Sequence, residues 1–275
     1  MANYSDDGGR TWTDPLPLKC QDGENLLGSD TPQLVRLPSG NLGMALRGKV
    51  TPGKESGYFD KFFESPFHVS TDEGKSWSSP GVFINPSNVY TRGESSSVDG
   101  LLCLSDGRLV MPFDRVFGPT PRQEKGWNET LFGEGMATGW ASKASFCYAY
   151  YSDDEGQSWH RSRNEVHACL DKGMGGSFPM GEPAIAELAD GRLILIAWTP
   201  LGRMFRSYST DRGETWLEAE PTDLAVRIGG ALSLRRIPGS DDLLIIWCQL
   251  SRFESMLGLN RHRLTCAISK DAGVT

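Results

Sequence analysis

The amino-acid sequence predicts an all-β protein of propeller type, in which four-stranded antiparallel sheets stand side by side around an axis. Two repeats and one absence predict it. The first repeat is a box, Ser-x-Asp-x-Gly-x-(Ser/Thr)-Trp, at Ser5–Trp12, Ser70–Trp77, Ser152–Trp159 and Ser209–Trp216. A fifth copy, Ser269–Thr275, stops where its tryptophan belongs. The second repeat is a hairpin ahead of each later box. The absence is of helical periodicity, so no helix of any length is expected.

The box has the chemistry of a tight turn. An Asp carboxylate accepts backbone N–H groups along the turn, and Ser or Thr hydroxyls do so more weakly. Glycine supplies a positive φ that a bulky residue resists. Tryptophan covers apolar surface. The aspartates are therefore read as structural. The hairpins pair Gln33–Leu37 with Leu42–Arg47, Leu101–Leu104 with Arg108–Asp114, Pro183–Leu188 with Arg192–Trp198, and Ala231–Ile237 with Leu243–Gln249. Turn residues between β-rich apolar runs mark each of them. A third strand then enters each box (Phe67–Ser70, Phe146–Ser152, Met204–Ser209, Leu264–Ser269), and a fourth leaves from its tryptophan. Boxes starting at residues 5, 70, 152, 209 and 269 recur every 57 to 82 residues, enough for four strands per blade.

The net charge of −7 argues against broad nucleic-acid binding or adhesion to an anionic membrane, which favour basic faces. Leu193–Trp198 and Leu243–Cys248 are the longest apolar runs, far short of the ~20 residues of a membrane span. The first residues, Met1–Ser5, form no signal peptide, and the compartment stays open. Six cysteines lack CxxC spacing, which speaks against zinc and leaves disulfides undecided. Cys103, Cys147, Cys248 and Cys266 fall in apolar strand patterns and read as small hydrophobes. Neither a metal nor a cofactor is implied, and oligomeric state is open.

Boxes paired with such hairpins resemble the sialidase (neuraminidase) superfamily, the BNR or Asp-box repeat proteins. The resemblance covers essentially the whole chain. It implies a six-bladed β-propeller, of which residues 1–275 supply about four to five blades as a single domain incomplete at both ends. It also implies an exo-acting glycoside hydrolase directed at terminal sialic acid or a related sugar. Asp boxes also occur in propellers that cleave nothing, so a non-catalytic glycan- or protein-binding propeller is the alternative. A related enzyme of other chemistry is a third reading.

Alternating strands put hairpin turns and boxes at one end of the sheets. Starts of first strands, ends of second strands and starts of third strands gather at the other. There stand Asp30, Asp99 and Glu182; Arg47, Asp114, Arg115 and Trp198; and Arg203, Asn260, Arg261 and His262. These charges suggest a rim for a polar ligand, although solvated loop ends give the same pattern. An insert between second and third strands, roughly Val116–Ala144, brings Phe117, Trp127, Phe132 and Trp140 to that end, either to stack on sugars or to pack on the blade.

In sialidases an arginine triad grips the substrate carboxylate through its bidentate forks. A tyrosine attacks, activated by a glutamate, and an aspartate is acid/base, an exception among glycosidases. Gly181-Glu182-Pro183-Ala184-Ile185-Ala186-Glu187-Leu188 resembles the segment bearing the activating glutamate, which puts Glu182 in that catalytic role. Asn260-Arg261-His262-Arg263-Leu264 resembles the segment of the last triad arginine, which makes Arg261 substrate-binding. Trp198 stands where the middle arginine is expected, with Arg203 or Arg206 as substitutes. Asp114 and Trp198 join Arg203 as candidate substrate contacts. Asp30-Thr31-Pro32 has the outline of the Arg-Ile-Pro motif with aspartate in place of arginine. With the acid/base aspartate and the tyrosine expected outside residues 1–275, the resemblance implies that this chain alone does not hydrolyse sialosides.

Overall fold

The computed structural model describes residues 1–24, 26, 32–46, 65–85, 94–96, 99–117, 144–169, 177–226, 229–258 and 263–275. Near the N-terminus, β1 (Lys19–Cys20) precedes sheet I, whose strands are β2 (Gln33–Arg36), β3 (Leu42–Ala45), β4 (Pro66–Ser70) and β6 (Val82–Phe83) in spatial order. β5 (Ser76–Trp77) pairs parallel with β1. In sheet II the inner strand is broken into β7 (Glu94–Ser96) and β8 (Leu102–Cys103), both paired to β9 (Leu109–Phe117). β10 (Ala144–Ser152) and β11 (His160–Arg161) complete it. A two-stranded pair, β12 (Ala168–Cys169) with β13 (Ser177–Phe178), leads to sheet III. That sheet runs β14 (Gly181–Glu187), β15 (Leu193–Trp198), β16 (Arg203–Ser209) and β17 (Glu220–Ala225). Sheet IV is β18 (Leu232–Arg236), β19 (Leu243–Cys248) and β20 (Leu264–Ser269). All four are antiparallel, as the hairpins require.

The continuous apolar run of β15 has a direct cause. Leu193 and Leu195 pack against sheet II, with Val110 and Cys147, while Ile194, Ile196 and Trp198 pack against Leu232, Leu234 and Trp247 of sheet IV. Side chains of alternating direction meet a neighbour on both faces, so no residue of the strand needs to be polar. Between sheets I and II, Phe67, Leu109, Phe113, Tyr148 and Tyr150 form the equivalent layer.

Each box closes the same way. In the second, Ser70 Oγ donates to Asp72 Oδ1 (2.7 Å) and accepts from Gly74 N (2.8 Å). Asp72 also accepts from Ser76 N (2.9 Å) and Ser76 Oγ (2.6 Å). The arrangement recurs around Asp7, Asp154, Asp211 and Asp271. Donors to the ionised form hold the Asp7, Asp72 and Asp271 carboxyls down at about 2, the Thr11, Ser76 and Thr275 hydroxyls contributing most. At Asp154 and Asp211 burial pushes upward, yet the hydroxyl and amide donors still leave both below the ordinary 3.8. A carboxyl depressed in the folded chain stabilises it above the unfolded value and loses that contribution as protons bind. Stability is therefore expected to be level above pH 5 and to fall between about pH 4 and 2. Urea midpoints across that range test this; a flat profile contradicts it.

The boxes also join successive sheets. Ser39 N in the sheet I hairpin donates to Glu155 Oε1 in the sheet II box (2.8 Å), and Arg212 in the sheet III box pairs with Asp106 in the sheet II hairpin. Arg108, only 5 % exposed, grips Asp153 with two nitrogens (2.7 and 2.8 Å) and reaches the Arg212 carbonyl. Its guanidinium lies over the Tyr151 ring at 4.3 Å. Hairpin turns and boxes thus share one end.

Three readings need correction. A short helix, α1 (Arg252–Met256), exists where none was expected. Ser251 and Glu254 cap it reciprocally, Ser251 N donating to Glu254 Oε2 (2.8 Å) and Glu254 N to Ser251 Oγ (3.2 Å). Cys266, read as a small hydrophobe, is exposed, because among the described residues no sheet lies against its face of β20. Trp12 is 62 % exposed while Trp77 and Trp216 are buried, so the box tryptophan covers surface only where another sheet supplies it. None of the six cysteines forms a disulfide. Among the described residues no helix is long and apolar enough to cross a membrane.

Candidate functional site

At the end opposite the boxes, β14 begins with an irregularity. Gly181 pairs with Trp198 and Ala184 with Ile196, so Glu182 and Pro183 together oppose a single residue. Glu182 takes a φ of 47°, a left-handed conformation that a non-glycine residue adopts at a cost. Its half-buried side chain turns to Trp198, whose Nε1 donates to Glu182 Oε2 at 3.2 Å. The indole itself is 2 % exposed and lies over Gly181, where a Cβ would stand 2.5 Å from Trp198 Cζ2. Glycine at 181 is therefore a matter of space.

Beyond Trp198 the chain turns. Thr199 Oγ1 donates to the Arg203 carbonyl (2.7 Å) and accepts from Leu201 N (3.2 Å), which fixes the turn that starts β16. Arg203 follows as an exposed cation, with no partner for its guanidinium among the described residues. Asp114 occupies the corresponding end of β9, opposite Ser95 of β7 and Cys147 of β10, and is 3 % exposed. Burial, and next the Asp114 charge, push the Cys147 thiol far up, so it is no nucleophile.

The structure thus brings Glu182 and Trp198 into contact, with Arg203 on the following strand and Asp114 at the same end of the preceding sheet. Arg261, with Asn260 and His262, lies outside the described residues, as do Asp30, Arg47 and most of the 116–144 insert. Arg206 is not at this rim. It sits opposite Ile196, two rungs inside the sheet, and its Nη1 donates to the Gly273 and Val274 carbonyls (2.6 and 2.7 Å) in the last box. Asp99 turns inward instead: it accepts from Ser233 Oγ and pairs with Arg235, both on β18. Sequence reasoning missed this bond and Thr199; neither carries a local signal. Among the described residues no cluster of His, Cys, Asp or Glu is suited to a metal ion. An apolar cavity of about 110 Å³ between sheets III and IV, lined by Ile196, Leu224 and Ile245 among others, reaches the last box rather than this rim.

A family model described as the BNR repeat-like domain matches residues 1–275. The chain belongs to that family. No curated protein matches it. Among solved structures, this BNR repeat-like chain is similar to the Hadza microbial sialidase Hz136, at 19 % identity over 99 % of this chain and 50 % of that one, TM-score 0.67. Trypanosoma rangeli sialidase matches at 17 % identity, covering 98 % and 41 %, TM-score 0.59. A Dyadobacter fermentans protein of unknown function matches at 20 %, covering 89 % and 63 %, TM-score 0.58. The chain spans between 41 and 63 % of the length of these three structures. The likeness shows a sialidase-like propeller fold; a fold does not by itself carry an activity.

Proposed function

We propose that this chain contributes the glutamate-bearing part of the site of a sialidase-like exo-glycoside hydrolase acting on terminal sialic acid or a related sugar, within a propeller domain that includes all of residues 1–275. The observation that carries the reading is Glu182: a carboxylate on a strained residue at the mouth of an innermost strand, at the end away from the boxes, with one oxygen held and the other without a partner among the described residues. A general base must lie within hydrogen-bond reach of the proton it takes. In this reading Glu182 accepts the proton of a tyrosine hydroxyl as that oxygen bonds to the anomeric carbon and the aglycone departs. Arg203 and Arg261 are the cations assigned to the sugar carboxylate, and the buried Asp114 supports the same end of the neighbouring sheet from within.

Trp198 favours a second reading, a glycan-binding propeller without turnover, because an indole stands where the resemblance places an arginine. The test uses a longer protein that includes this chain, with a fluorogenic sialoside. Glu182→Gln is expected to lower kcat by ~10²-fold or more while sialoside binding persists, the scale of a lost general base. Unchanged turnover overturns the role of Glu182. Binding with no turnover by the unsubstituted protein selects the second reading.

A further inference from the structure

We infer that Trp198 is a positioning residue, holding the Glu182 carboxylate and backbone in place, and that it does not itself contact sugar. The inference rests on the proposed role of Glu182, but its physical basis is separate. A left-handed residue directly before proline is doubly disfavoured: its Cβ crowds the backbone, and the proline ring biases it toward extended conformations. Something outside the dipeptide must hold Glu182 at a φ of 47°. Trp198 is the partner placed to do so. It pairs with Gly181 at the last regular rung before the irregularity, lays its ring on the space a Cβ would fill, and ends with an N–H 3.2 Å from Oε2.

The indole is fixed from behind. It belongs to the apolar layer that includes Ala184, Met204, Val226 and Trp247, and at 2 % exposure it offers a ligand no face. A rigid neutral donor on Oε2 leaves Oε1 as the acceptor turned to a ligand donor. A neutral N–H orients the carboxylate without the opposing charge that an arginine would bring. A site is accurate when its polar group is locked by packed neighbours, and Gly181, Glu182 and Trp198 form such a unit.

The experiment uses the full 275-residue chain with ¹⁵N labelling and 3′-sialyllactose as the probe. The Trp198 indole N–H resonance is expected to move upfield in Glu182→Ala, which removes the acceptor. In Trp198→Phe, which keeps an aromatic ring but no donor, the Glu182 and Ala184 backbone amides are expected to shift while amides remote from the site keep the dispersion of the folded parent, with a lower thermal midpoint from the smaller ring. Probe affinity should fall about tenfold, the loss of one hydrogen bond to a charged group, and Trp198→His, restoring an N–H, should recover part of it. An indole resonance indifferent to Glu182→Ala, or Glu182 amides unmoved in Trp198→Phe, overturns the inference. If the parent chain binds no sialoside but both resonance changes occur, the sugar assignment fails and the positioning of Glu182 by Trp198 stands.

Discussion

Gly156→Ala should cost about 2–5 kcal/mol, the sum of an overpacking penalty and a left-handed backbone carrying a Cβ. Gly156 has a φ of 88°, and a Cβ there would lie 2.2 Å from Cε1 and 2.4 Å from Cδ1 of Phe67, a side chain of the preceding sheet. Phe67 cannot retreat: it is 1 % exposed and meets the Trp159 ring edge-on at 5.3 Å. Gly8→Ala is the control, since Gly8 has a φ of 73° with nothing within 4 Å of the added atom. It should show the backbone part alone, about 1–2 kcal/mol. Urea denaturation of both variants separates the terms, and equal losses would refute the claim that this glycine seats one sheet on another.

The second large effect is expected at Trp216. Its indole is 4 % exposed and lies among Val110 and Cys147 of sheet II and Leu193 and Phe205 of sheet III. Its backbone is clasped by Asn164, which accepts from Trp216 N (2.9 Å) and donates to Trp216 O (2.7 Å). Removing the ring opens a cavity between two sheets that meet on both sides of it, so Trp216→Ala should destabilise by about 3–5 kcal/mol. Trp12 holds the same place in the same motif but is 62 % exposed. Trp12→Ala should stay within about 0.5 kcal/mol. Similar losses in the two variants would mean that the motif, rather than the presence of a neighbouring sheet, sets the contribution.

Much of this fold is legible in the residues because box and hairpin chemistry is local. Ser, Asp, Gly and Thr within one turn satisfy one another, and β20 runs Leu264–Ser269 as read. Elements whose cause is remote were not legible. β7 (Glu94–Ser96) has a polar sequence that no strand pattern marks, and it forms because β9 is long enough to pair with it as well as with β8. At the candidate site, Glu182 stood out by resemblance, but nothing in Gly-Glu-Pro announces a positive φ, and the proline argues against one. Arg206 could have been placed by counting rungs: with Trp198 opposite Met204, it lies too deep in the sheet to reach the rim. The capping box of α1, Ser251 with Glu254, is a local helix signal set within an all-β pattern that hides it.

The bond from Asp99 to Arg235 and Ser233 has a consequence for how the molecule can come apart. Asp99 belongs to the inner edge of sheet II and its partners to the inner edge of sheet IV, while sheet III stands between and takes no part. Stacked units that touch only their nearest neighbours can peel away singly from an end. Here sheet IV is tethered past its neighbour, so prising it from sheet III strains sheet II as well, and the wedge that holds Glu182 is gripped from both sides.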